Sequence, residues 1–173
     1  MKVYDGTTSE TASSGTPERV KVGIAEYEVA DGNAVLTTSG LGSCLGVALH
    51  DRATGLSGLV HVMLPSRDDD DESSPAKFAD SGIETLVREM RDRGADTETL
   101  EAKIAGGSDM LDFSENGSGI GVRNVETGRE TLASYGIPIV GEDVGGEHGR
   151  SLRMESDTGD LVVKSANRDS ITL

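Results

Sequence analysis

The chain has 173 residues, 31 acidic against 16 basic side chains, a net charge of −15 and a single cysteine. That length accommodates one domain with a hydrophobic core, and no apolar run approaches the ~20 residues of a membrane span, so no membrane insertion is expected. The acidity argues against a nucleic-acid binder, which would present a basic face. One cysteine rules out an intrachain disulfide and a cysteine-rich zinc site and suits a reducing cytoplasm.

Met1 to Glu18 lacks the apolar stretch of a secretory signal, and its Gly, Ser, Thr and Glu content reads as a disordered tail. Residues 19–173 then form the one domain. Acidic residues are spread along it, with a local run in the loop 67–73, a pattern suited to high salt, where self-repulsion is screened.

Val20, Val22 and Ile24 alternate as in a strand, and Tyr27 and Val29 resume out of phase, which places a bulge or break near Ala25. Asp31-Gly32-Asn33 is a turn before a short strand, Ala34 to Thr37. Leu45 to His50 reads as a buried strand, residues 51–55 as a turn, and Leu59 to Leu64 as its antiparallel hairpin partner, stopped by Pro65. A helix is predicted from Ser74 as N-cap and Pro75 in the first turn, with Ala79, Ile83, Leu86, Val87 and Met90 on one face and Gly94 ending it. Leu100 to Ala105 is a strand, Gly121 to Tyr135 a second helix, and Ile137 to Val140, Ser151 to Met154 and Leu161 to Lys164 are strands. The expected fold is an α/β layered sandwich in which helices cover a largely antiparallel β-sheet.

Thr38-Ser39-Gly40-Leu41-Gly42-Ser43-Cys44-Leu45-Gly46 is the most informative stretch. Gly42-x-Cys44-x-Gly46 has the spacing of a nucleophile elbow, in which small neighbours leave the reactive atom accessible. A strand rather than a helix follows, so no helix dipole is expected to activate the thiol. Activation then needs a neighbour, and the hairpin brings His61 within a few residues of Cys44; such a pair favours thiolate–imidazolium. The competing readings are a buried apolar cysteine and a hydrogen-bonded core histidine. Thr38 either orients His61 or merely ends a strand. Backbone N–H groups around Gly42 and Ser43 are oxyanion candidates. Gly106-Gly107 and Gly145-Gly146 are either substrate loops or turns needing positive φ. Cys44 with His50, His61 and His148 lacks metal-ligand spacing, so neither metal nor cofactor is expected.

The stretch 38–44, with Gly58 to Pro65, Lys77 to Asp80, Ala102 to Gly107, Ile120 to Asn124, Glu142 to Gly146 and Gly149-Arg150, resembles the CheD chemoreceptor glutamine deamidases over roughly residues 20–165. The resemblance implies a sandwich like that of deamidating bacterial toxins, with Cys44 as nucleophile, His61 as base and Thr38 completing a triad. It implies hydrolysis of receptor glutamine side chains to glutamate, with methyl-accepting chemotaxis receptors as substrate and a CheC-type phosphatase as a further partner. The alternatives are a non-catalytic module that only regulates CheC, and another thiol amidase or esterase acting on the same receptors.

Overall fold

The structure is a computed structural model; it describes residues 16–109 and 119–173. Most of the expected N-terminal tail, residues 1–15, lies outside the described residues, and the first strand already begins at Glu18. The strands are β1 (Glu18–Lys21), β2 (Tyr27–Ala30), β3 (Ala34–Leu41), β4 (Leu45–Asp51), β5 (Ser57–Val62), β6 (Leu100–Gly106), β7 (Ile139–Val144), β8 (Arg150–Glu155), β9 (Leu161–Ser165) and β10 (Ile171–Thr172); the helices are α1 (Ala79–Asp92) and α2 (Ile120–Ser134).

The single sheet expected from the sequence is two. One runs β10-β9-β8-β3-β1 and the other β2-β5-β4-β6-β7, five strands each. Pairing is antiparallel except for β1 with β3 and β6 with β7. A cluster including Val22, Leu36, Leu41, Leu59, Leu152 and Met154 fills the space between the sheets. A second, including Leu45, Val60, Ile83, Leu86, Met90 and Leu132, lies between the second sheet and the helices. The layers are therefore sheet, sheet, helices. Strands of the middle sheet are covered on both faces, so β5 is buried throughout and shows no hydropathy alternation that could reveal a second sheet.

The break predicted at Ala25 is present: Ala25 has φ +63° between β1 and β2, two strands that belong to different sheets. The hairpin β4–β5 is antiparallel, with Gly46 opposite His61. The first helix differs from expectation. Ser74 caps a 3-10 turn, Pro75–Lys77, accepting from Ala76 N–H at 3.3 Å, and α1 starts only at Ala79, after extended Phe78. The buried face of α1 is nevertheless the predicted one, and Gly94 follows its end at φ +109°. The strand predicted to stop at Thr37 continues to Leu41, with a register shift between Thr38 and Leu41 and Gly40 at φ +78°. That irregularity lets β3 leave the sheet and turn into the loop carrying Cys44.

Candidate active site

His61 and Thr38 come from different sheets. On β5, Leu59 points between the sheets and Val60 and Val62 toward the helices, so His61 shares the inter-sheet side with Leu59. On β3, Leu36 points into the same layer, and Thr38 follows it by one strand period. Both Thr38 and His61 are buried.

Thr38 Oγ1 lies 2.8 Å from His61 Nδ1 and donates to the Val22 carbonyl at 2.7 Å. A carbonyl can only accept, so the threonine proton is committed to Val22 and its oxygen must accept from the ring. Nδ1 therefore carries the proton, and in the neutral imidazole Nε2 holds the lone pair. His61 Nε2 is buried and has no hydrogen-bond partner among the described residues. The backbone of His61 is pinned as well: its N–H donates to Glu26 O at 3.1 Å and its carbonyl accepts from Ala25 N–H at 2.9 Å.

Cys44 sits one residue before β4, partly buried, against the same inter-sheet cluster. With Gly46 directly opposite His61, Cys44 is the diagonal neighbour of His61 on one face of the hairpin, a relation within reach of side-chain contact. Burial raises the Cys44 thiol above its ordinary value, opposed by its own backbone N–H, and burial lowers His61. Both shifts favour the uncharged pair, so the thiolate–imidazolium form expected from the sequence is not the resting state that burial favours. The geometry suits a base that takes the thiol proton as the thiol attacks.

The loop before the cysteine is held from outside. Gly107 N–H donates to Cys44 O at 2.8 Å and Ser108 N–H to Gly42 O at 2.9 Å. Gly106 has φ +114°, and a Cβ there would stand 2.4 Å from Cys44 O, so only glycine permits this approach. Gly145 N–H donates to Gly106 O at 2.9 Å. Both glycine pairs are thus positive-φ turns, and both belong to the loops packed around the Cys44 segment. Gly42 N–H is taken by Gly40 O at 3.2 Å, which removes it as a free oxyanion donor. No bond to the Ser43 or Cys44 N–H from another residue's backbone occurs among the described residues.

Two residues of this assembly escaped residue-by-residue reading. Asn124, buried on α2, donates from Nδ2 to Ser43 O at 2.8 Å and to Met63 O at 3.1 Å, and its Oδ1 has no partner among the described residues. Ser43 precedes the cysteine and Met63 lies two residues past the histidine, so one side chain ties both strands where their ladder ends. The available signal was a polar residue within the small, inward stripe Gly121, Asn124, Gly128, Leu132. The second is Arg150, whose guanidinium bonds Asp143 Oδ2 at 3.0 Å, Gly145 O at 2.8 Å and Gly106 O at 3.4 Å. It is the clip between the two glycine loops.

The family described as CheD chemotactic sensory transduction matches residues 63–165. A Haloarcula marismortui protein named probable chemoreceptor glutamine deamidase CheD is 63% identical over 173 residues, covering 100% of both chains. The chain belongs to the CheD family. A Natronomonas pharaonis protein of the same name is 48% identical over 163 residues, covering 94% of this chain and 97% of its own. Both organisms are halophilic archaea, in keeping with the acidic surface of this CheD-family chain. A solved Neisseria meningitidis protein of the DUF152 family superposes with TM-score 0.50 at 14% identity, over 75% of this chain and 63% of that one, a likeness of fold alone. Among the described residues, no helix of the CheD-family chain is long and apolar enough to cross a membrane.

Proposed function

We propose that this chain is a cytoplasmic, cysteine-dependent protein-glutamine deamidase acting on methyl-accepting chemotaxis receptors. The observation that carries the reading is the bond from His61 Nδ1 to Thr38 Oγ1, which leaves the basic Nε2 on the inter-sheet side that Cys44 shares. His61 takes the thiol proton while Cys44 Sγ attacks the carboxamide carbon of a glutamine side chain. The tetrahedral oxyanion is held by backbone N–H groups of the Ser43–Cys44 turn. His61 returns the proton to the leaving nitrogen, ammonia departs, and a thioester remains. The same histidine then deprotonates a water that cleaves the thioester, giving glutamate and regenerating the thiol. Each turnover adds one negative charge to the receptor and creates a carboxylate that can be methylated.

Family membership supports two further parts of this reading. One, which the family resemblance implies, is a kinship with deamidating bacterial toxins. The other is a CheC-type phosphatase as a partner that competes with receptor for the same approach. The test is mass spectrometry of receptor cytoplasmic fragments incubated with the protein. A shift of about one dalton at specific glutamines, absent with Cys44→Ala, is the expected result. Unmodified receptor with the wild-type protein would overturn the enzymatic reading and favour the regulatory module.

A further inference from the structure

The outer face of the first sheet is unlike the rest of this acidic molecule. Register places Lys21, Thr37, Arg153 and Val162 in one row across β1, β3, β8 and β9. Arg19 lies one strand period from Lys21, and Lys164 pairs with Ser151, one period from Arg153, so all four cations share that face. The alternate residues, among them Val20, Val22, Leu152 and Val163, pack toward the inter-sheet core, which leaves the cations to solvent.

Together with Thr37 and Ser39 these cations line a groove of about 450 Å³ to which the described residues contribute no carboxylate. In a chain of 31 acidic and 16 basic residues, four cations and no anion along one groove is a local reversal of sign. Arg153 has one rim partner, Glu155 at 3.6 Å; Arg19, Lys21 and Lys164 make no ion pair among the described residues. The catalytic geometry uses none of the four.

We propose that this groove docks a carboxylate-rich helical segment of the protein substrate and so delivers the substrate to Cys44. The proposal rests on the reading of the chain as a deamidase of a helical receptor. Lys21 and Arg153 stand two strand spacings apart, about 10 Å, with the Thr37 hydroxyl between them. A helix with its side chains is about 10–12 Å across, so it rests on the hydroxyl floor with cations along both flanks. The groove lies near the site along β3. Thr38, between Thr37 and Ser39, turns the other way to hold His61, and a neighbouring hollow that shares Ser151 and Lys164 with the groove is lined by Gly40, four residues before Cys44.

A nucleic acid fits the groove less well than a protein. Among the described residues, no aromatic side chain lines it for base stacking. A duplex also carries one charge per ~1.7 Å, so it would run past four cations onto the acidic remainder of the surface. A short carboxylate stripe has its charge only where the cations are.

The experiment is steady-state deamidation by the full chain with two substrates, a receptor cytoplasmic fragment and a short neutral glutamine peptide. Wild type is compared with Lys21→Glu/Arg153→Glu in the lowest salt at which both remain folded. The expected result is a KM for the fragment raised about tenfold or more, with kcat and peptide turnover unchanged and the defect shrinking as salt rises. An unchanged KM for the fragment overturns the groove as docking surface. Competition by a short DNA duplex equal to that by an acidic helical peptide overturns the protein as occupant. Wild type that fails to modify the fragment at all refutes the deamidase reading instead. Should the reversal variant not fold, Arg19→Gln/Lys164→Gln tests the same face with a smaller perturbation and the same direction of change.

Discussion

Thr38 on β3 and His61 on β5 meet at 2.8 Å across the space between two sheets, and that one contact sets the tautomer of His61. It is a contact between strands that never pair. Its bond to Val22 O adds the chain segment leaving β1, so three separate stretches converge on one hydroxyl.

Thr38→Val keeps the shape and removes the hydroxyl. Two buried groups, His61 Nδ1–H and the Val22 carbonyl, then lose their partner, at a cost of about 1–3 kcal/mol. With the tautomer no longer held, kcat falls by about 10²-fold or more. Thr38→Ser restores most of both losses. Thermal unfolding and single-substrate kinetics on the three proteins check this; activity within a few-fold of wild type in Thr38→Val would remove Thr38 from the machinery.

Burial of the uncharged pair sets the pH behaviour. His61 must be neutral to accept a proton, and its pKa is lowered from the ordinary 6.5, so the acid limb of kcat/KM lies below 6.5 and activity is flat through neutrality. The Cys44 thiol is raised, so its alkylation by iodoacetamide climbs only in alkaline solution, above the ordinary 9.0. In His61→Ala that alkylation midpoint does not rise, because no imidazolium was holding a thiolate, while turnover is lost. A midpoint clearly higher in the variant would restore the ion pair. The linkage signs follow: the lowered histidine contributes stability present above pH 6.5 and lost as pH falls through its folded pKa, and the raised thiol contributes stability lost as pH rises through its own.

Asn124 holds the main chain next to both Cys44 and His61. Asn124→Ala leaves Ser43 O and Met63 O without their buried donor and costs about 1–3 kcal/mol. Loosening the cysteine turn by a fraction of an ångström lowers kcat about tenfold to a hundredfold with KM for peptide little changed. Asn124→Asp should do the same, since a carboxylate cannot donate to two carbonyls. A variant that loses stability but retains kcat would make Asn124 purely structural.

The charge of −15 predicts the salt response. At ~1 M salt the Debye length is about 3 Å, so self-repulsion across the surface is screened. The unfolding temperature should climb as potassium chloride is raised from 0.1 M toward the molar range. A temperature independent of salt would refute adaptation to high ionic strength.

Much of this was legible along the chain because it is local. Glycines framing Cys44, the short apolar runs of the β4–β5 hairpin, the turn at 51–55 and the apolar stripe of α1 all depend on neighbours a few residues apart. The hairpin alone brings Cys44 and His61 to adjacent strands. Residue-level reading left Thr38 open between orienting His61 and ending a strand, because nothing near residue 38 announces a partner 23 positions away; the triad was what the family resemblance implied. The number of sheets was hidden for a related reason. A middle layer buried on both faces looks continuously apolar, and parallel pairing of β1 with β3 and β6 with β7 leaves no hairpin signature. The sign of the two pKa shifts and the cationic row on the outer sheet were decided only by tertiary structure. Burial is a property of what packs above a residue, and Arg19, Lys21, Arg153 and Lys164, scattered over 146 positions of an acidic chain, become one surface only when β1, β8 and β9 align around β3.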